Sequence, residues 1–413
     1  MKKVLIISNS FPPYLDGGVF RPLKFTKYLP KCGWTPVILK SKTKLQKNFP
    51  RDESLCNDFP QNLKIYETFS LCKYLNMFQR KLNNEKDLLN VPDPHIGWLP
   101  FALVAGRKII LKEKIDMIFT TGPPHSTHLI GYLLKKVYGT PWVADFRDPW
   151  VQNVYIKPPT GVHAFLQKIM EHNVIKHADR IVTVTEPIKN DFIESYKSLI
   201  KDKILVIPNG YDPGDFVNLI PKKTDKCTFS YTGSLYLSIS LDLFLKSVKD
   251  VITEKPDMMN KIKVIIAGSM NESHILGLIN ELGINNIVEY KGLVSYKASL
   301  DVMMNSDVLI VVSSSKGYTD QHTKTFQYMA AKKAILGMVP NGPAADVIKN
   351  FGDSIVVHPD DVDEIKNAIY TFYYIYSQGQ LKGGDDLEVI EKYNRERLTL
   401  ELAQLFNEIL NKL

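Results

Sequence analysis

The sequence predicts an α/β protein built from two successive doubly wound parallel sheets. Three observations carry that prediction. Short β-branched runs recur along the chain with helical stretches between them, the series restarts near the midpoint, and the break is too rich in Pro and Gly to continue a helix or a strand. Runs that are continuously apolar, rather than alternating, suit parallel strands covered on both faces.

The first series is VLIIS from Val4, PVILK from Pro36, DMIFTT from Asp116, WVADF from Trp142, RIVTVT from Arg180 and ILVIPNG from Ile204. The opening MKKVLIISNSFPP has two lysines and an apolar run too short for a signal-peptide core, so it reads as the first strand. Residues 41–95 break the rhythm, with a Lys/Asn-rich stretch around QRKLNNEKD, and are expected to be an insertion carrying short helices. IPNGYDPGDF, residues 207–216, reads as the linker. The second series is CTFSYTG from Cys227, KVIIAG from Lys263, IVEYKG from Ile287, DVLIVVS from Asp307, AILGMV from Ala334 and SIVV from Ser354. From Asp386 the tail has helical apolar spacing and predicts one or two amphipathic helices. The expected boundaries are therefore 1–205, 206–385 and 386–413.

Charge is unevenly placed. Residues 1–205 hold 31 Lys and Arg against 18 Asp and Glu, a net +13, whereas 206–413 hold 21 against 26, a net −5. A basic half suits nucleic acid, an anionic membrane surface or a phosphorylated ligand. Without zinc-finger spacing, an RNP-like motif or a heptad-bearing basic helix, nucleic acid is set aside as a partner. No window approaches the ~18 apolar residues of a membrane span. Phe69, Tyr74 and Phe78 interleave with Lys73, Arg80 and Lys81, which predicts peripheral, salt-sensitive association with an anionic membrane. The four cysteines, Cys32, Cys56, Cys72 and Cys227, are scattered without metal-ligand spacing, as expected of a cytoplasmic protein lacking a structural zinc.

In an open parallel sheet, ligands bind beyond the carboxyl ends of the strands. PWVADFRDPW, residues 141–150, there brings Asp145, Arg147 and Asp148 directly after a buried strand. SNSFPPYLDGGVFRPLKF sets Gly17 and Gly18 before a helix, where backbone can approach an anion, although no GxGxxG fingerprint is present. GPPHSTHLIGYLLKK offers His125 at a turn as a functional candidate and His128 as a packed one. In the second half, YTGSLY puts Gly233 and Ser234 at a strand end. SSSKGYTDQHTKTFQYMAAKKAIL predicts a helix from Thr323 whose first turn carries Lys324, against the helix dipole, with Gln327 on the same face. A bound anion explains that misfit. Asp361-Val362-Asp363 reads as N-terminal helix charge, not as a metal-ligating DxD.

Six stretches in order, FPPYLDGGVFRPLKFTKYL, TTGPPHSTHLIGYLLKKVYGTPWVADFRDPW, VTVTEPIKNDF, VIPNGYD, YTGSLY and KTFQYMAAKKAIL, resemble the bacterial family 4 glycosyltransferases. The resemblance implies the GT-B fold, two Rossmann-like doubly wound domains facing across a cleft. It implies an acceptor-binding domain at 1–205, a nucleotide-sugar-binding domain at 206–385 and a final helix, within 386–413, that crosses back to the first domain. It places Gly17 and Gly18 near the donor diphosphate, Gly233 and Ser234 at the glycine turn of the donor domain, and Lys324 on the diphosphate. Gln327 stands where relatives carry a Glu that accepts from the donor ribose, so Gln327→Glu is expected to tighten nucleotide binding. The usual Gly-Arg pair is missing, because Ser234, Leu235 and Tyr236 follow Gly233.

The expected activity is metal-independent transfer of a hexose, with retention, from a nucleotide sugar to a glycan or lipid-linked acceptor in cell-surface polysaccharide biosynthesis. The nucleotide sugar is the donor substrate and no separate cofactor is implied. His125, Arg147 and Asp148 are expected to orient acceptor and sugar while Lys324 stabilises the leaving diphosphate. The protein is expected in the cytoplasm, peripheral to the inner face of the membrane. Two other classes share the fold: a sugar-nucleotide epimerase, which needs carboxylates for proton work, and a non-catalytic nucleotide-sugar-binding protein, which the Gln and the missing Arg suggest.

Overall fold

The computed structural model describes residues 1–42, 49–81, 89–200, 202–217, 219–222, 225–235 and 239–412. The chain divides into two compact units, one of Met1–Pro208 with Arg395–Leu413 and one of Asn209–Asn394.

Unit 1 contains β1 (Lys2–Ile7), α1 (Phe20–Tyr28), β2 (Trp34–Ser41), β3 (Lys64–Thr68), α2 (Cys72–Lys81), α3 (Leu99–Glu113), β4 (Met117–Gly122), α4 (Ser126–Tyr138), β5 (Trp142–Phe146), α5 (Gly161–His177), β6 (Arg180–Thr183), α6 (Glu186–Ile200) and β7 (Ile204–Val206). Unit 2 contains β8 (Cys227–Thr232), α7 (Asp242–Glu254), β9 (Ile262–Ala267), α8 (Glu272–Leu282), β10 (Val288–Gly292), α9 (Tyr296–Met304), β11 (Val308–Val312), α10 (Thr323–Ala330), β12 (Ala334–Met338), α11 (Pro343–Lys349), β13 (Ile355–Val357), α12 (Val362–Ser377) and α13 (Leu387–Glu391). The last helix, α14 (Arg395–Asn411), belongs to unit 1.

Both sheets are parallel throughout, with strand orders β3-β2-β1-β4-β5-β6-β7 and β10-β9-β8-β11-β12-β13. The order reverses between β1 and β4 in unit 1, and between β8 and β11 in unit 2. At these two points loops leave neighbouring strands in opposite directions and open a crevice. The α/β, doubly wound prediction is correct.

Twelve strands lie on the apolar runs, and β3 does not. Its sequence KIYET alternates and is only partly buried, because it is an edge strand paired to β2 alone. Residues 41–95 therefore extend the sheet as well as carrying a helix. Residues 82–88 of the Lys/Asn-rich stretch lie outside the described residues, as do the side chains of Arg80 and Lys81 and the whole of Tyr236. Asp361 caps α12, its side chain accepting from the Glu364 amide, which accounts for the Asp-Val-Asp motif without a metal.

The tail forms two helices with separate destinations. On α14, Leu398, Leu402, Phe406 and Ile409 face one way at helical spacing and are buried in the core of unit 1. Phe406 meets Trp34 edge-on, with ring centroids 5.1 Å apart. Among the described residues no helix is long and apolar enough to cross a membrane.

Candidate active site

In unit 1 the three charges after β5 have three different destinations. Asp145 is fully buried and turns back into the fold: it accepts from Arg21 Nε and Nη2 at 2.9 and 2.7 Å and from Thr121 Oγ1 at 2.7 Å. Arg21, on α1, also donates to the carbonyls of Ile207 and Pro208, each at 2.9 Å. One ion pair thus ties α1, β4, β5 and the segment after β7 together.

Arg147 is expected from the sequence to orient the acceptor, but its guanidinium is committed to backbone. It donates to Gly122 O at 3.1 Å, to Gly18 O at 2.7 Å and to Pro123 O. It joins the loops after β1 and β4 at the switch point. The same contact explains Gly18, where a Cβ would lie 2.4 Å from Arg147 Nη1. Gly17 is different. It is exposed, and a Cβ there would meet nothing within 4 Å, so no close approach requires a glycine at this position. Asp148, the next residue after Arg147, is exposed as a residue, while burial of its carboxyl raises its pKa against the pull of Arg147.

His125 is expected from the sequence to orient substrate, and the structure places it in a packed aromatic setting. Its ring stacks on Trp150 at 4.8 Å, within 2° of parallel, and is 6% exposed. Burial, then the neighbouring His128 and Arg147, hold it neutral, pulling its pKa down to about 3. His128, fully buried as expected, packs on Phe146 and meets Thr120 Oγ1 through Nδ1 at 2.9 Å. Both histidines belong to an aromatic cluster beneath the loops. Sequence reasoning missed the polar groups nearby, among them Asp93, which accepts from the Ser126 amide and hydroxyl at 2.7 and 2.9 Å, and Asn9, 3.1 Å from His95.

Unit 2 is arranged around glycine turns. Gly233 follows β8 with φ +113°, and its amide donates to Ala267 O. Gly268 follows β9, and a Cβ there would fall 1.8 Å from Gly233 O, so the two turns touch backbone to backbone. The strand-end rule that selected Gly233 also selects Gly268. Ser234 is exposed and accepts, through its carbonyl, from the Tyr231 hydroxyl at 3.1 Å.

Lys324, in the first turn of α10, reaches the same place. Its Nζ donates to the Tyr231 hydroxyl at 2.6 Å, lies 4.0 Å from the Tyr231 ring centroid, and would be 3.2 Å from a Cβ on Gly233. Among the described residues no carboxylate pairs with it, and burial pulls its ammonium down to about 7. A cation at a glycine turn and a helix start, with no carboxylate paired to it among the described residues, has the chemistry to hold an anion.

Gln327, one turn further along α10, is 7% exposed and donates from Nε2 to the Tyr296 hydroxyl at 2.8 Å. That hydroxyl donates to Asp215 Oδ2 at 2.7 Å. Neither Tyr296 nor Asp215 was legible as a partner, since they lie 31 and 112 residues from Gln327 in sequence.

Comparison with known proteins bears on the family and the fold. The profile for Glycosyltransferase Family 4 matches residues 70–215, and that for Glycosyl transferases group 1 matches residues 226–373. An uncharacterized glycosyltransferase of Methanocaldococcus jannaschii is 22% identical over 375 residues, covering 86% of this chain and 90% of its own. Among solved structures, sucrose-phosphate synthase from Thermosynechococcus elongatus superposes with TM-score 0.72 at 15% identity, covering all of both chains. Anabaena HepE in complex with UDP-glucose gives 0.67 at 12%, again over all of both chains. S. aureus TarM, in complex with Fondaparinux, alpha-GlcNAc-glycerol and UDP, gives 0.65 at 10%, covering 98% of this chain and 100% of that one. The chain is a family 4-like glycosyltransferase of the GT-B type.

Proposed function

We propose that this glycosyltransferase moves a hexose, with retention, from a nucleotide sugar bound by unit 2 to a glycan or lipid-linked acceptor received by unit 1, in cell-surface polysaccharide biosynthesis. The observation that carries the donor half is Lys324, an ammonium without a carboxylate beside the Gly233 turn. When the bond between the anomeric carbon and the diphosphate oxygen breaks, its electron pair leaves with the diphosphate. A preorganised cation and backbone N–H groups at that point lower the barrier. The departing phosphate oxygen takes the proton of the acceptor hydroxyl on the same face, so the new bond keeps the old configuration. Lys324 and the glycine turns supply the charge stabilisation, and no divalent ion is needed in this reading.

Support for an acceptor at a membrane comes from exposed apolar side chains on unit 1: Phe69, Tyr74, Met77 and Phe78 in and before α2, and Val162, Phe165 and Ile169 on α5. With the net +13 of residues 1–205, they suit peripheral docking on an anionic lipid surface.

The test is a thermal-shift screen of nucleoside diphosphates and nucleotide sugars, followed by product analysis with and without acceptor. A ligand at about 100 times its Kd adds about 2.7 kcal/mol of stability. Stabilisation by a nucleoside diphosphate, with sugar release only when acceptor is present, supports the proposal. Interconversion of sugars without acceptor identifies an epimerase, and binding without turnover identifies a non-catalytic protein.

A further inference from the structure

The amide at position 327 has a physical reason that lies in its two neighbours. Gln327 Nε2, the Tyr296 hydroxyl and Asp215 Oδ2 form a line, with separations of 2.8 and 2.7 Å. They come from α10, the first residue of α9 and the 3-10 turn Pro213–Phe216, all within unit 2. A phenol has one proton to give, and an ionised carboxylate can only accept. The Tyr296 proton therefore goes to Asp215, and whatever meets the other side of the phenol oxygen must be a donor. Gln327 meets it with its amide N–H. That choice is dictated by the network and fixes which way the amide points. Its carbonyl oxygen is turned away from Tyr296, has no hydrogen-bond partner among the described residues and is not sealed from solvent. Burial and then the charge of Asp215 hold the Tyr296 phenol well above its ordinary range, which keeps the proton in place.

We propose that Asp215 and Tyr296 are positioning residues that fix the polarity of Gln327, so that unit 2 offers one carbonyl acceptor to a single ribose hydroxyl of a nucleoside diphosphate. The proposal rests on the donor reading of unit 2 given above. It reverses the effect expected from sequence for Gln327→Glu. A carboxylate at 327 would put two acceptors on either side of one phenol, and the one without the proton would face oxygen lone pairs. Changing Asp215→Asn as well restores the pattern in the opposite sense. The new amide donates to the phenol oxygen, the phenol donates to the carboxylate at 327, and the second carboxylate oxygen remains for the ribose.

The experiment is a double-mutant cycle of wild type, Gln327→Glu, Asp215→Asn and the double variant. Each protein is melted without ligand and titrated with UDP, GDP and ADP, and the one that binds is repeated as its 2′-deoxy and 3′-deoxy analogues. Gln327→Glu is expected to lower the melting temperature by about 4 °C or more and to weaken binding about tenfold. The double variant should recover most of both losses. Wild type and the double variant each offer the ribose one oxygen, so in both proteins the same one of the two deoxy analogues should bind more weakly. Additive losses in the melting cycle, or Gln327→Glu binding more tightly than wild type, would overturn the relay. Coupled melting with no nucleoside diphosphate bound by any of the four proteins would instead overturn the donor reading and leave the hydrogen-bond polarity standing. Should Gln327→Glu fail to fold, a folded double variant supports the relay and an unfolded one contradicts it.

Discussion

Unit 1 and unit 2 both place cations beyond the strand ends of a parallel sheet, and they treat them oppositely. Arg21 and Arg147 are committed to the fold. One neutralises Asp145 and the other holds three backbone carbonyls. Lys324 has the Tyr231 phenol beside it but no counter-charge among the described residues, and burial weakens its hold on its proton. Nearness of charge to a strand end therefore does not identify a ligand site. An uncompensated charge does, because burying it costs stability that a bound anion returns.

The largest expected effect is on the committed side. Arg21→Met leaves Asp145 buried without its partner and should cost about 3–5 kcal/mol in urea unfolding. A loss below about 1 kcal/mol would mean that the pair does not hold the four segments together.

Next comes the uncommitted side. Lys324→Ala should reduce transfer by ~10²- to 10³-fold. It should not lower the melting temperature of the ligand-free protein near pH 7, because an ammonium with a depressed pKa disfavours the fold until pH rises through its ordinary range. Wild-type turnover should also be unchanged by a chelator. Transfer within a few fold of wild type for the variant would move the diphosphate site elsewhere, and loss of activity on chelation would bring in a metal.

A smaller effect is expected at the surface of unit 1. Each basic residue near an anionic membrane contributes about 1 kcal/mol, screened beyond a Debye length of ~8 Å at physiological salt. The protein should float with anionic liposomes at low salt, and changing Lys73, Arg80 and Lys81 together to Glu should weaken flotation. Equal flotation with neutral and anionic vesicles would contradict the electrostatic contribution.

The contrast also separates what sequence conveys from what it does not. Most strands were legible because apolar residues dominate their runs; β3 was not, since KIYET alternates and none of its residues is fully buried. Lys324 was legible as a charge on the wrong end of a helix. Asp145, Arg147 and Asp148 looked like one constellation because they are adjacent in sequence, yet the fold sends one to Arg21, 124 residues away, and one to backbone carbonyls, while the third belongs to an exposed residue. His125 looked available because its turn is rich in Pro, and only the stacked Trp150 reveals it as packed. Partners brought together by topology leave no local pattern, and for that reason Tyr231, Tyr296 and Asp215 were missed.

Lys324 has no counter-charge among the described residues, and a diphosphate would supply one. Its pKa near 7 in the ligand-free protein should rise toward the ordinary lysine range on binding, so affinity is greatest below pH 7 and falls as pH rises above it, by up to about tenfold per unit. Calorimetry of nucleoside diphosphate binding at pH 8, in two buffers of different ionisation enthalpy, tests this directly. Wild type should take up roughly one proton on binding, and Lys324→Met should lose that uptake along with most of its affinity. Binding without proton uptake in wild type, or equal uptake in both proteins, would contradict the claim.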